Sequence, residues 1–277
     1  ILIIKLSSLG DLIHTLPSIR TITKNHQISW LIDTNFSSLL KSESDIKAIP
    51  LPLRKLKSNI FKLSIWKECW NIIKKQRQEK YDLIIDPQGL LKTAIISKLI
   101  GAKIIHGIGR NSIKEKIASY AYHKTTELGE AEHIINKIHL LVADAVDQPP
   151  IQLPQIKKNI LKLEKIIFFI NTTWESKHWP LEHWKKLTQM LLQHNKSISI
   201  TIPYLDQKQF NTQRSLYEVS NRVFPMQELD LSKLKENLRT FDLAISVDTG
   251  LGHLCYEVDL PTIGLFGPTS SKRNGIF

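Results

Sequence analysis

Short apolar segments rich in β-branched residues alternate along the whole chain with longer segments in which apolar residues recur at helical spacing. This alternation is typical of parallel sheets flanked by helices. The predicted strands are residues 1–6, 28–32, 83–85 and 103–106 in the first half, and residues 166–170, 197–202, 243–246 and 262–266 in the second. Each half repeats the strand-then-helix pattern, so we predict an α/β protein with two doubly wound, Rossmann-like domains.

A proline-rich segment separates the two halves. Residues 147–154 contain three prolines, which can continue neither a helix nor an inner strand. We therefore predict a linker here, between a first domain at residues 1–148 and a second at residues 149–277. Because ligands of open parallel sheets bind at the carboxyl ends of the strands, we expect the two domains to face a central cleft.

The composition excludes several classes of protein. Of the 277 residues, 42% are hydrophobic and 23% are charged, which fits a folded globular protein rather than a disordered one. The apolar segments are far shorter than the roughly 20 residues that a membrane-spanning helix needs. Lys5 interrupts the first apolar segment, which therefore does not resemble a secretory signal. We expect a cytoplasmic protein.

The net charge of +12 favours an anionic partner: nucleic acid, an acidic membrane or a phosphorylated substrate. Nucleic acid is the weakest of the three, because no segment matches a nucleic-acid-binding module. Cys69 and Cys255 have no partners at zinc-ligand spacing, and the chain has neither a D-x-D pair nor a G-x-G-x-x-G segment after its first strand. The sequence thus predicts neither a metal ion nor a cofactor.

The first predicted strand leads into Gly10 and Asp11, at the start of a helical segment. One interpretation of Asp11 is a helix N-cap. The other is a general base, because an aspartate is ionised at neutral pH and can take a proton from an attacking hydroxyl. His14, one turn further along, could act as the base instead or pack in the interior.

Two strand ends of the second domain carry polar clusters. Thr172, Thr173 and Lys177 follow its first predicted strand, and their hydroxyl and ammonium donors suit a phosphate. Asp248-Thr249-Gly250 follows its third, where successive backbone amides at a helix start favour an anion. From the residues alone, a solvated lysine and an ordinary helix cap remain open as alternatives.

Five motifs in the chain resemble those of the heptosyltransferase I family, which belongs to glycosyltransferase family 9. They are K-L-S-S-L-G-D-L-I-H-T-L-P at residues 5–17, D-P-Q-G-L-L-K at 86–92, T-T-W-E-S-K-H-W-P at 172–180, S-V-D-T-G-L-G-H-L at 246–254 and G-P-T at 267–269. The resemblance covers nearly the whole chain and implies the GT-B fold. It also implies a metal-independent, inverting transfer of heptose from ADP-L-glycero-D-manno-heptose to Kdo of Kdo2-lipid A. This reaction belongs to lipopolysaccharide inner-core synthesis.

The same resemblance implies roles for individual residues. Asp11 would deprotonate a Kdo hydroxyl, while Lys177 would contact the diphosphate and stabilise the departing ADP. The implied donor site of the second domain consists of Thr172, Thr173, Lys177, Gln209, Asp248, Thr249, Gly250 and His253. The implied acceptor site of the first domain consists of Ser8, Gly10, Arg54, Lys55, Lys57, Gln88, Lys114 and His133.

A basic segment at residues 54–80 carries nine basic and two acidic residues. Its apolar residues recur at helical spacing and suit a core-facing helix. They are Phe61, Leu63, Trp66, Trp70 and Ile73. A basic amphipathic helix can also lie on an anionic membrane, and the acceptor of this family is embedded in the inner membrane. The implied location is therefore peripheral, on the cytoplasmic face of the inner membrane.

The chain departs from the family pattern at residues 204–209, which read Y-L-D-Q-K-Q where the family carries W-G-x-x-x-E with the acid on the ribose. Gln209 could serve through its amide oxygen, or Asp206 could substitute. Two alternatives follow, a sibling transferase with another acceptor or donor and a catalytically silent nucleotide-sugar-binding protein. The opening motif argues against the first, and the presence of both Asp11 and Lys177 argues against the second. We also expect the second domain to continue beyond Phe277.

Overall fold

The computed structural model describes residues 1–58, 62–129, 133–151, 162–227 and 230–275. The chain divides into two compact units, Ile1–Leu153 and Pro154–Phe277. This division falls inside the proline-rich segment at residues 147–154, five residues after the predicted domain boundary at 148.

The first unit contains a six-stranded parallel sheet in the order β3-β2-β1-β4-β5-β6. Its strands are β1 (Leu2–Ile4), β2 (Ile28–Asp33), β3 (Ile46–Leu51), β4 (Tyr81–Asp86), β5 (Ala102–Ile108) and β6 (Lys124–Thr126). Its helices are α1 (Leu9–Arg20), α2 (Leu53–Ser58), α3 (Leu63–Gln78), α4 (Leu91–Ile100) and α5 (Ile134–Ala145), with 3₁₀ segments at Thr34–Leu40 and Lys116–Ala121. The strand order reverses beside β1, so the carboxyl end of β1 lies at the switch point where such sheets bind ligands.

Helices cover both faces of this sheet. Leu2 and Ile4 of β1 join a buried cluster with Cys69 and Ile73 of α3. Ile3 points to the opposite face, because side chains alternate along a strand. On that face α1 and α5 pack against each other.

The second unit contains a five-stranded parallel sheet in the order β11-β10-β7-β8-β9. Its strands are β7 (Lys165–Phe169), β8 (Ser199–Tyr204), β9 (Val223–Gln227), β10 (Leu243–Val247) and β11 (Thr262–Leu265). Its helices are α6 (Leu181–His194), α7 (Gln207–Tyr217), α8 (Leu231–Leu238), α9 (Gly250–Leu254) and α10 (Ser271–Asn274), with 3₁₀ segments at Glu175–Lys177 and Tyr256–Val258. Phe168 and Trp184, with ring centroids 5.0 Å apart, pack β7 against α6. The predicted α/β class with two parallel sheets is confirmed.

Each of the eight predicted strands overlaps an observed one, and the structure adds β3, β6 and β9. Of the described helices, none is long and apolar enough to span a bilayer.

Candidate active site

Asp11 lies in the first turn of α1, the helix that follows β1. Its Oδ2 accepts hydrogen bonds from the Ser8 backbone N–H at 2.9 Å and from the Ser8 hydroxyl at 2.8 Å. The N-cap residue is therefore Ser8, and Asp11 is its reciprocal partner in a capping box, three residues into the helix. No residue in the described part of the chain donates to Oδ1 of Asp11. Asp11 is only partly buried, so its side chain is in part accessible to solvent.

Gln88 connects the end of β4 to the turn that follows β1. Its Oε1 accepts from the Leu6 N–H at 2.7 Å, and its Nε2 lies 3.5 Å from the Ser7 hydroxyl oxygen. The turn containing Gln88 is itself held by Asp86, whose Oδ1 accepts from the N–H groups of Gln88 and Gly89 at 3.0 and 3.1 Å. Gln88 thus lies beside the turn that leads from β1 to the helix carrying Asp11.

Two buried charges beneath this strand end were not among the predicted site residues. Lys5 donates through Nζ to the Pro87 carbonyl at 3.3 Å, and Asp86 accepts from the Tyr122 hydroxyl at 2.8 Å. Burial lowers the pKa of Lys5, while the nearby carboxylates of Asp11 and Asp86 oppose that shift. Burial raises the pKa of Asp86, and its hydrogen bonds oppose the shift. The sequence signal for Lys5 was a lysine inside an otherwise apolar predicted strand. A lysine is almost never fully buried unless it is paired, so this position predicts a polar partner for Lys5.

His133 precedes α5 and faces α1. Its Nδ1 accepts from the Ile135 N–H at 3.3 Å, which makes it the N-cap of α5. Its ring meets the edge of the buried His14 ring, with centroids 6.0 Å apart. The structure therefore brings His133 to the helix that carries Asp11, and places His14 in the interior.

The remaining predicted acceptor residues lie on other segments. Gly10 is the second residue of α1. Arg54 and Lys55 are exposed on α2, after β3, and the Arg54 guanidinium lies over the Phe36 ring at 4.5 Å. Lys114 is exposed after β5. The Lys57 side chain lies outside the described part of the structure, as does Phe61.

Three side chains of the second unit converge on the carboxylate of Asp248. The Lys177 ammonium donates to Oδ2 of Asp248 at 2.6 Å, and the Thr269 hydroxyl donates to the same oxygen at 2.6 Å. The His253 Nε2 lies 3.5 Å from Oδ1. Burial by itself raises the pKa of Asp248, but hydrogen bonds from His253, Lys177 and Thr269 outweigh it and hold that pKa well below its usual range. Asp248 is therefore an anion fixed between cationic and hydroxyl donors.

These groups come from the carboxyl ends of adjacent strands. Lys177 follows β7, Asp248 follows β10 and Thr269 follows β11, and β10 lies between the other two. Close packing of α9 on β10 fixes the position of Asp248, because a Cβ on Gly252 would lie 2.3 Å from the Ser246 hydroxyl oxygen. Only glycine fits there.

The other predicted donor residues border this cluster. Thr249 is the N-cap residue of the five-residue helix α9, without a side-chain capping bond, and Gly250 is its first residue. Thr172 is half-buried and Thr173 is exposed in the turn between β7 and Lys177. All of these positions lie at the carboxyl edge of the second sheet.

Gln209 and Asp206 already have structural roles. The Gln209 Oε1 accepts from the Leu205 N–H at 2.8 Å and from the Asn171 amide at 3.3 Å. Asp206 caps α7 by accepting from the Gln209 N–H at 2.9 Å. The amide oxygen that the sequence offered to the ribose is thus engaged, which leaves the Gln209 amide N–H groups as donors.

Within the described residues, no three His, Cys, Asp or Glu side chains lie close enough together to hold a metal ion. Cys69 and Cys255 are buried free thiols. Metal independence stays a prediction.

A family model described as glycosyltransferase family 9 (heptosyltransferase) matches residues 69–276, well over half of the chain. The chain belongs to glycosyltransferase family 9. It is therefore a glycosyltransferase, as its motifs predicted.

Individual members of the family extend the comparison to the whole chain. Lipopolysaccharide heptosyltransferase 1 of Pseudomonas aeruginosa is 28% identical, over 100% of this chain and 81% of that protein. The Escherichia coli K12 protein of the same name is 27% identical, over 97% of this chain and 88% of that protein. The resemblance to heptosyltransferase I is confirmed.

Solved structures of family members share the architecture. E. coli heptosyltransferase WaaC with ADP matches with a TM-score of 0.88 and 26% identity, covering 99% of this chain and 89% of that one. The same enzyme with ADP-2-deoxy-2-fluoro heptose matches with a TM-score of 0.86 and 26% identity, covering 97% and 89%. The predicted GT-B fold is confirmed.

Proposed function

We propose that this glycosyltransferase transfers L-glycero-D-manno-heptose from ADP-heptose to Kdo of Kdo2-lipid A, with inversion, at the cytoplasmic face of the inner membrane. The observation that carries the proposal is the likeness, over 97% of the chain, to an enzyme solved with an ADP-heptose analogue. Relatives named lipopolysaccharide heptosyltransferase 1 support heptose transfer in inner-core synthesis.

The second unit binds the donor in this proposal. The Lys177 ammonium, now paired with Asp248, contacts the diphosphate, and the Thr172 and Thr173 hydroxyls and the amides of Thr249 and Gly250 add neutral donors. Negative charge grows on the leaving phosphate as the glycosidic bond breaks. A fixed ammonium therefore stabilises the transition state more than the bound substrate.

Asp248 and His253 support the sugar side of the donor site. The Asp248 carboxylate is held by Thr269 as well as by Lys177, so its orientation does not depend on the lysine alone. Its oxygens accept hydrogen bonds from sugar hydroxyls. Gln209 replaces the family's ribose-binding acid through its amide N–H groups, which makes it a donor rather than an acceptor to the ribose oxygens.

The first unit supplies the base. Oδ2 of Asp11 is held by Ser8, and Oδ1 takes the proton of a Kdo hydroxyl as that hydroxyl oxygen bonds to the anomeric carbon. The bond between the anomeric carbon and the ADP oxygen breaks in the same step, and ADP departs with the electron pair. The buried Lys5 gives the Asp11 carboxylate a nearby counter-charge.

In this proposal, basic side chains of the first unit recognise the negatively charged groups of the acceptor. Kdo carries carboxylates and lipid A carries phosphates, and the basic residues Arg54, Lys55, Lys57 and Lys114 offer complementary contacts. Gln88 and His133 contact the segment around Asp11, and together with the backbone at Ser8 and Gly10 they face the sugar in this proposal.

Product analysis tests the proposal. Purified protein receives ADP-heptose with either Kdo2-lipid A or the same acceptor already carrying one heptose, and mass spectrometry records the products. We expect a gain of one heptose on Kdo2-lipid A only. Extension of the heptosylated acceptor alone would identify a sibling transferase, and ADP binding without either product would identify a silent binding protein.

A further inference from the structure

Three neighbouring segments of the first unit expose large apolar side chains. Each of these seven side chains is at least 42% exposed, and we call them together the apolar face. They are Leu63, Trp66 and Trp70 on α3, Leu91 and Ile95 on α4, and Ile117 and Tyr120 on the 3₁₀ segment Lys116–Ala121. Large exposed apolar patches on folded proteins mark sites of interaction with other proteins or with membranes.

The seven side chains lie on the same side of the sheet. Inward-facing residues of all three segments join one buried cluster, including Cys69 of α3, Ala94 of α4 and Ala118 of the 3₁₀ segment. Helix α3 packs against α4, and α4 packs against the 3₁₀ segment. The side chains on their outer surfaces therefore point away from the same core. The helical spacing of the apolar residues in the basic segment, residues 54–80, predicts that they face the core. In α3 that prediction is correct for Ile73, whereas Trp66 and Trp70 are about half exposed.

The opposite face of the same sheet provides a contrast. There α1 and α5 pack against each other, and neither exposes a large apolar side chain among its described residues. The apolar face is thus a property of one side of the unit and not of its helices in general.

Charge accompanies the exposed apolar side chains. Helix α3 carries four basic residues, α4 two and the 3₁₀ segment one, against a single acid, Glu68 on α3. Lys67 and Lys74 share the outward side of α3 with Leu63, by helical spacing. Basic residues that flank exposed tryptophan and leucine form the composition of a helix that lies in a membrane interface.

We infer that the apolar face docks onto an anionic phospholipid bilayer. Tryptophan rings and aliphatic side chains enter the headgroup region, and the lysines and arginine meet lipid phosphates. This inference rests on the proposed function and adds the surface that reaches the membrane-embedded acceptor. Helix α4 begins three residues after Gln88, so the apolar face starts close to the turn that leads into the helix carrying Asp11.

Vesicle flotation with the full chain tests the docking. Vesicles of phosphatidylcholine are compared with vesicles containing phosphatidylglycerol, using the wild type, Trp66→Ser/Trp70→Ser and Ile95→Ser/Ile117→Ser. The matched control is Met190→Ser/Phe224→Ser, which removes exposed apolar side chains from the second unit. We expect the wild type to prefer vesicles with phosphatidylglycerol and to dissociate from them when salt is added. Both face variants should bind these vesicles about tenfold more weakly than the wild type. The control variant should bind them as the wild type does.

Thermal unfolding of each variant shows whether the fold is retained. If the tryptophan variant does not fold, the Ile95→Ser/Ile117→Ser variant tests the docking in its place. Equal binding of the wild type and both face variants would overturn the inference. So would a wild-type dimer, seen by sedimentation, that the face substitutions dissociate, because a second copy would then cover the face.

A paired assay separates docking from the proposed function. Heptose transfer to Kdo2-lipid A in anionic vesicles should fall in the face variants, while transfer to a water-soluble, deacylated Kdo acceptor should stay unchanged. Anionic-vesicle binding through the face without any heptose transfer would overturn the proposed function and leave the docking intact. Transfer to both acceptors without vesicle binding would overturn the docking and leave the proposed function intact.

Discussion

The Lys177 ammonium lies 2.6 Å from Oδ2 of Asp248, in an ion pair built from the carboxyl ends of two adjacent strands. The side chains are only 19% and 8% exposed, so solvent screens the pair less than it would at the surface. Thr269 and His253 hold the same carboxylate from other directions. A lysine restrained in this way is positioned before the nucleotide arrives.

Lys177→Ala should weaken ADP binding and also reduce turnover at saturating donor, because the ammonium acts on both the bound diphosphate and the leaving group. Lys177→Arg should recover binding better than rate, since a planar guanidinium places its donors differently. Calorimetry with ADP and steady-state kinetics measure the two effects. Lys186→Ala, at an exposed position on α6, is the matched control.

An unchanged ADP affinity for Lys177→Ala, together with a loss of acceptor affinity, would show that the donor site around Thr172, Thr173 and Asp248 is misplaced.

Asp11→Asn should retain ADP affinity and lose turnover by about 10²-fold or more, the range typical for removal of a general base. The amide keeps the size of the side chain but cannot accept a proton from the acceptor hydroxyl. Ser8→Ala removes only one hydrogen bond to the carboxylate and should cost far less. Near-normal turnover in Asp11→Asn would leave Asp11 with its capping role alone.

Activity should survive chelation of divalent ions. The described residues provide no cluster of three metal-ligating side chains, and the proposed leaving group is stabilised by Lys177. Heptose transfer is measured with and without EDTA. A complete loss that magnesium or manganese restores would refute the metal-free mechanism.

Buried histidines of the first unit should make stability depend on pH. Burial lowers the pKa of His106, against the opposing charge of Asp144, and burial also lowers the pKa of His139. The unfolded chain therefore binds more protons below the unfolded histidine pKa of about 6.5. The stabilising contribution is fully present above that pH and is lost as the pH falls through the folded-state pKa values.

The contribution of these histidines to the free energy of unfolding, measured by chemical denaturation, should thus decrease between about pH 7 and pH 5. His106→Gln should show a smaller decrease than the wild type, whereas His194→Gln, at an exposed position, should follow the wild type. Parallel pH profiles for all three proteins would contradict this explanation.

Sequence periodicity predicted the inner strands of both sheets but not three of the edge strands. β3 and β9 contain Pro50 and Pro225, residues that argue against an inner strand, and β6 has only three residues. An edge strand tolerates proline because one side of its backbone makes no ladder hydrogen bonds. Pattern alone cannot show which segment will be an edge, since sheet order depends on packing of distant segments.

The candidate site was predicted where a motif combined a strand end with polar residues, as at Asp11 and at Asp248. The pairing of Lys177 with Asp248 was not predicted, because 71 residues separate them and only the strand order brings them together. Lys5 stands out in its apolar segment, but the sequence does not show that it is buried or that its partner is the Pro87 carbonyl. Thr269 belongs to the G-P-T motif, but its partner Asp248 lies on another segment, so its role was not predicted.

The configuration of the new glycosidic bond tests the central claim most directly. The account requires one displacement, in which Asp11 removes the proton from a Kdo hydroxyl while Lys177 stabilises the departing ADP. Nuclear magnetic resonance of the product isolated from ADP-heptose and Kdo2-lipid A should show heptose on Kdo with the anomeric configuration opposite to that in the donor. Retention of the donor's configuration would contradict the account, because it requires two displacements or a different arrangement of the reacting groups.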